Sequence, residues 1–265
     1  MATEDNAKLL ILNKAEQVSA LQSIGIPAHD ETSLSTLADY AKWAGGLLDI
    51  CFACAPADGS GIGKGTSALT YFSPDEYRAL SDNEAVKHVI IGIRLRAENK
   101  QFLISLADIA KDGTASSSAV YYWASSGGDI ANLKNYGLQS KGIFDDFDAK
   151  GMSDAICAYY AGIANSYSGA GACRLYKASS VDPVEWSMAT VAHLMMIFKY
   201  KKEINDFFAQ YISSAVPIKS NVYWAANEYD ISFPWNIDMR SGALLHSTLK
   251  INSTNGSAVR AVSAI

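Results

Sequence analysis

The tightest constraint on this chain lies near its end. From Tyr223 it reads Tyr-Trp-Ala-Ala-Asn-Glu-Tyr-Asp-Ile-Ser-Phe-Pro-Trp-Asn-Ile-Asp-Met-Arg-Ser-Gly, and it closes on Ser257-Ala-Val-Arg-Ala-Val-Ser-Ala-Ile265. Large aromatics recur at Tyr223, Trp224, Tyr229 and Trp235. Side chains of that size usually bury, so these four are expected to be framework. The residues set between and after them share no chemistry: Asp230, Ile231, Ser232 and Phe233, then Asp238, Arg240 and Ser241, then Leu245, His246, Ser247 and Thr248. Rigid anchors alternating with arbitrary residues suit a recognition face carried on a fixed scaffold. Phe233, Ile231, Leu245 and Ile251 would be unusual as idle exposed apolar residues so close together. Glu228 and Arg260 are expected to pair with each other or to bond backbone groups.

The remainder of the chain can supply such a scaffold. Of its 265 residues 49% are hydrophobic and 11% aromatic, enough to bury a sizeable core in one or two domains. Only 18% are charged, against a usual ~25%, and the net charge is −5. No long Lys/Arg run occurs, so nucleic-acid binding has no electrostatic basis. No run approaches ~18 uninterrupted apolar residues, so no membrane insertion is expected. The opening Met-Ala-Thr-Glu-Asp-Asn lacks the basic start and apolar core of a secretory signal. Cys51, Cys54, Cys157 and Cys173 are read as free thiols, because a chain of this size needs no disulfide framework.

Local patterns predict an α+β chain. Apolar spacing suggests a short helix or docking segment within 8–24, a turn at Gly25-Ile-Pro27, and a helix capped by Thr32-Ser-Leu-Ser35. Gly45-Gly46 interrupts, and Leu47 to Ala55 reads as a buried run. The Gly/Ser-rich stretch 56–66 reads as a loop, with a provisional boundary near it. Ser73-Pro74-Asp75-Glu76 is a helix start, with a helix expected through Leu80 towards His88. Val89–Arg96 and Phe102–Leu106, joined by Glu98-Asn-Lys100, predict a β-hairpin. Val120-Tyr-Tyr-Trp123 comes after a Ser/Gly-rich loop. Helices are expected over 152–164, 186–198 and 205–212, with a small-residue loop at 166–171 and short strands and loops after Pro217.

Three tempting motifs fail, two on spacing and one on context. Counting back from Gly63-Lys64, a phosphate loop needs Gly where Asp58 stands, and a hydroxyl where Gly65 stands, and no strong strand is evident before it. Asp145-Asp-Phe-Asp-Ala-Lys-Gly151 puts Lys150 at a calcium-ligand position, so it reads as a turn leading into a helix, and no metal is expected. Cys51-Phe-Ala-Cys54 has redox spacing but sits in an apolar run without a βαβ context. His193 lies on an apolar helix with no ligand partner at metal spacing, so it is read as a core or boundary histidine. No Ser/His/acid arrangement is evident among His29, His88, His193 and His246.

The closing block resembles a known group. Tyr223-Trp-Ala-Ala-Asn-Glu-Tyr229, Trp235, Gly242 and Val259-Arg-Ala-Val262 are similar to landmarks of C-type lectin-like modules of the formylglycine-generating-enzyme type, closest to bacterial and phage tail fibre proteins. Tyr71–Glu76, Ile91–Arg96, Gly128–Leu133, Asp145–Gly151 and Glu203–Asn205 extend the likeness over residues 70 to 265. One departure is Trp186-Ser-Met-Ala189, where the family carries a Trp–aromatic–Leu–Pro run. The resemblance implies a C-type lectin-like domain over 71–265, with a small, mainly helical region at 1–70 for attachment or homo-oligomerisation.

A subset of such modules are variable proteins of diversity-generating retroelements, whose templated mutagenesis falls mostly on Asn codons near the end of the gene. For this chain the resemblance implies a variable region at 223–260. Its binding positions would be Asn227, Asp230, Ile231, Ser232, Phe233, Asn236, Asp238, Arg240, Ser241, Leu245, His246, Ser247, Thr248 and Ile251, with Asn252 and Asn255 as further template-like codons. The expected activity is non-enzymatic and cofactor-free. The expected partner is a host-cell surface protein or glycan, met from a phage tail or, alternatively, as a bacterial surface adhesin. A formylglycine-generating activity is the other reading. It needs a reactive cysteine pair by the substrate groove, and no cysteine follows Cys173.

Overall fold

A computed structural model describes residues 48–117, 123–130, 133–137, 141–161, 167–251 and 257–265. The helices expected within 8–24 and after Thr32, the turn at 25–27, Gly45-Gly46, His29, Asn252, Asn255 and most of Val120–Trp123 lie outside these residues. The chain divides into two compact units, one of residues 1–49 with 95–101 and one of 50–94 with 102–265. The second unit begins at Ile50, ahead of the expected start at 71. The described part of the first includes the tip of the predicted hairpin. There Glu98 and Asn99 take positive φ of 51° and 61°, a two-residue turn that matches strand twist.

Strand β1 is Asp49–Pro56 and β2 Thr70–Phe72; helices α1 and α2 are Pro74–Arg78 and Asp82–Ala85. The hairpin strands are β3, His88–Ala97, and β4, Lys100–Ile109, succeeded by the short β5, Ala115–Ser116. Then come α3, Ala149–Ala161, α4, Gly169–Leu175, β6, Ser187–Met188, α5, Val191–Lys199, and α6, Lys201–Tyr211. The chain closes on β7, Val222–Glu228, β8, Pro234–Asp238, β9, Ala243–Leu245, and β10, Arg260–Ala264. The protein is thus a mixed α and β structure with antiparallel sheets. No helix among the described residues is long and apolar enough to cross a membrane.

The larger sheet has the order β2-β1-β3-β4-β10-β6, with β5 on β4. Its central strands are apolar on both faces. Phe102, Leu103 and Ile104 are successive and all buried, so both sides of β4 are covered. Gly92 on β3 gives the covering layer room: a Cβ there would lie 2.9 Å from the Ile104 carbonyl and 3.0 Å from the Trp186 ring. The last strand enters this sheet between β4 and β6, with Val262 opposite Ile104 on one side and Ser187 on the other. The C-terminal strand is therefore interior, and the segment before it must leave the large sheet and return to it.

Several local expectations shift. Ser73 caps α1 with a reciprocal capping box, as its sequence predicts, but the helix ends at Arg78 and a second short one begins at Asp82. Trp186 precedes its helix: the chain first adds β6 to the sheet, then Thr190 caps Val191 onward. The small-residue stretch at 166–171 contains a helix start, with the Ser168 hydroxyl accepting from the Gly171 amide. A strand, β1, does precede the glycine-rich loop, and the loop leads into a single 3-10 turn at Gly65–Ala68. Cys51 and Cys54, three apart on β1, point to opposite faces.

Candidate ligand-binding face

The three strands β7, β8 and β9 form a separate antiparallel sheet in that order. Tyr223 and Trp224 are fully buried and Trp235 nearly so, as large aromatics in a framework should be. The Trp123 indole donates to the Ala225 carbonyl at 2.8 Å, and the Ala226 amide to the Ala189 carbonyl at 2.8 Å. The strand is thereby tied to segments far away in sequence. Gly242 closes the β8–β9 turn at a φ of +74°, and a Cβ there would lie 2.5 Å from the Phe198 ring. Both facts restrict the position to glycine.

The loop from Tyr229 to Phe233 stands on this sheet. Its shape comes from Asp230, whose Oδ1 accepts from the Ser232 and Phe233 amides at 2.8 and 2.9 Å. The Tyr229 and Asp230 amides donate to the Phe233 carbonyl. Beneath the loop lies a buried charge pair. Lys250 Nζ bonds Glu228 Oε1, the Gly128 carbonyl at 2.7 Å and the Ile231 carbonyl at 3.0 Å, and sits 5.3 Å over the Trp123 ring. Both side chains are completely buried. Burial pushes the Glu228 carboxyl up to about 7 against the pull of Lys250. Its Oε2 has no hydrogen-bond partner among the described residues. Through its backbone amide Lys250 also donates to the Ser232 carbonyl at 3.2 Å. One residue thus holds residues 128, 231 and 232 together.

An aromatic cluster packs beside it. His246 stacks on Tyr229 at 4.1 Å, and Trp235 meets both rings at steep angles. At the other end of the face Arg240 makes a bidentate contact with Asp238, which holds that carboxyl below its usual range.

The expected contact positions therefore separate. Ile231, Arg240, Ser241, Ser247 and Ile251 are exposed; Asp230, Ser232, Phe233, Asp238, Leu245 and His246 are half-buried. Asn227, Asn236 and Thr248 are buried, contrary to expectation. Asn227 Oδ1 accepts from the Val191 amide at 2.7 Å, satisfying a free donor at the start of α5. Asn236 lies on the central strand between Trp224 and Leu245, with neighbours on both sides. Thr248 is drawn in with the segment that Lys250 anchors.

Glu228 and Arg260 do not pair with each other: Glu228 takes Lys250, and Arg260 takes Asp108 at 2.9 Å, while the expected bonding to backbone holds for Arg260, which donates to the Ser105 and Val216 carbonyls. Sequence reasoning missed Lys250, Asp108, Trp123 and the exposed Leu249. The available signal for Lys250 was its place as a lone cation between Leu249 and Ile251.

Elsewhere, His193 is buried, bonds the Thr190 hydroxyl through Nδ1, and is lowered by burial to about 3, as a core histidine would be. The four cysteines are free. Burial raises Cys54 to about 12 and also pushes up Cys157 and Cys173. No group of metal-binding side chains occurs among the described residues. Comparison with family models, with curated proteins and with solved structures finds no match to this chain.

Proposed function

We propose that the chain is a non-enzymatic binding protein that presents the loop Tyr229–Phe233, the β8–β9 turn and the segment 246–251 to a ligand. More particularly, we read it as a C-type lectin-like variable protein of the diversity-generating retroelement type, serving host attachment on a phage tail or adhesion at a bacterial surface. One observation carries the reading. In the closing stretch most framework residues are buried and multiply bonded, whereas the mixed residues, the buried Thr248 apart, lie on loops, at the end of β8 and on the edge strand β9. A scaffold built this way tolerates exchange at the surface, since exposed substitutions away from special features usually change stability by less than about 0.5 kcal/mol.

The modifying-enzyme alternative receives no such support. Its chemistry needs a thiolate, and burial disfavours ionisation at Cys54, Cys157 and Cys173. Two measurements test the proposal. Sequencing many copies of the locus should find substitutions concentrated after Trp224 at the exposed positions; an even spread defeats it. Joint replacement of Ile231, Phe233 and Arg240 by Ala should abolish attachment while leaving the melting temperature nearly unchanged; unchanged attachment points to a structural role.

A further inference from the structure

Most polar candidates on the face are already engaged. Asp230 shapes its own loop, Asp238 and Arg240 hold each other, Asn227 caps a helix and His246 stacks on Tyr229. The outward offering of the face is aliphatic. Ile231 is 55% exposed, Leu249 42% and Ile251 47%. They are neighbours because Lys250, between the last two, turns inward and bonds the carbonyls of Ile231 and Ser232. Its inward turn leaves Leu249 and Ile251 outside, beside the loop that carries Ile231. Three exposed aliphatic side chains at one place form a patch of the kind that marks interaction sites.

Two acids lie beside the patch. Asp129 and Asp230 both act electrostatically on Glu228 beneath it, so they lie close by. Neither has an ion pair among the described residues; Asp129 is met by the Asn135 amide at 3.5 Å. All three Lys and Arg residues of the closing stretch are consumed, Lys250 by Glu228, Arg240 by Asp238 and Arg260 by Asp108. The aromatics that would stack on a sugar ring are withdrawn: Trp235 is buried, and Tyr229 is half-buried with His246 stacked on its ring.

Building on the binding role proposed above, we infer that this patch of Ile231, Leu249 and Ile251 engages a protein partner that offers an apolar cleft edged by Lys or Arg. A glycan would find no fully exposed aromatic ring to stack on among the described residues there. An acidic partner would meet like charge at Asp129 and Asp230, which raises the cost of wrong pairings.

The test uses the full chain and a displayed random peptide library as the probe. Binders are selected on the parent protein and rescreened on Ile231→Asp with Ile251→Asp, after thermal melting shows that variant to be folded. A second variant, Leu249→Ser, serves if it is not. The expected result is enrichment of aliphatic or aromatic peptides carrying Lys or Arg. Their affinity should fall at least about tenfold on the variant, a change of about 1.4 kcal/mol, and weaken with salt. Face-directed binders that are acidic or purely polar, or glycan-array binding that survives the variant, would overturn the aliphatic–cationic assignment and leave the binding role standing. If no selected binder responds to substitutions at Ile231, Phe233, Arg240 or Ile251, both readings fail together.

Discussion

Arg260 and Lys250 are buried cations used alike in two different places. Arg260, on the last strand of the large sheet, pairs with Asp108 and donates to the carbonyls of Ser105 and Val216, both at 3.1 Å. Asp108 also accepts from the Tyr223 hydroxyl. Lys250 pairs with Glu228 and donates to the carbonyls of Gly128 and Ile231. The first clasp closes a core between β4, β10 and β7; the second holds surface loops in position. Both carboxyls are raised by burial, Glu228 to about 7. Fixing a surface loop thus takes the same physics as fixing a core: a desolvated cation met by one carboxylate and by backbone carbonyls.

The largest effect is expected from breaking the core clasp. Arg260→Ala strands Asp108 without its cation, and removal of one member of a buried pair costs about 3–5 kcal/mol. Urea unfolding should show a loss of stability of that size. A loss below about 1 kcal/mol would mean that Arg260 does not brace the sheet.

Lys250→Met should cost less, about 1–3 kcal/mol, because the remaining Glu228 can take up a proton near neutrality. The penalty should be smaller at pH 6 than at pH 8. Hydrogen exchange should place the loss at the loop 229–233, leaving β4 and β10 protected. Global loss of protection would erase the distinction between the two clasps.

A third effect is carried by pH. Glu228 has a folded value of about 7, above the usual 4.5, so the native state holds its proton more tightly. Its contribution to stability is present below 4.5 and declines as pH rises through 7. His193 runs the other way. Its folded value of about 3 lies below the usual 6.5, so stability falls as pH drops from 6.5 towards 3. Between 4.5 and 6.5 the two slopes oppose each other. Each is at most about 1.4 kcal/mol per pH unit. Glu228→Gln should therefore steepen the loss of stability on acidification below 6.5. An unaltered profile would show that Glu228 does not titrate in this window.

The sequence makes the parts visible and leaves their pairing hidden. Ser73 with Glu76, the Glu98-Asn99 turn and the apolar alternation of β3 are local signals, and each yields its element. Tyr223, Trp224 and Trp235 are buried because their size favours it. The charge partners are another matter. Arg260 meets Asp108 across more than half the chain, and no local pattern links them. Nor does spacing reveal that Asn227 would cap α5, or that Lys250 would turn inward and push Leu249 out. Boundaries fail for a related reason. Trp186 has helical spacing with the residues after it, but β10 needs an edge partner and recruits Ser187 and Met188 as strand.

The smallest expected effect separates framework from display most directly. Arg240 is 67% exposed at its side chain and pairs with Asp238 on the same turn. Exposed pairs of this kind contribute little to stability, so Arg240→Ala should leave urea stability almost unchanged. Ile251→Ser, at an exposed turn position, should do the same. Both changes alter the exposed surface without touching either clasp. If they destabilise the protein as much as Lys250→Met does, the surface residues are part of the framework, and exchange at these positions would endanger the fold.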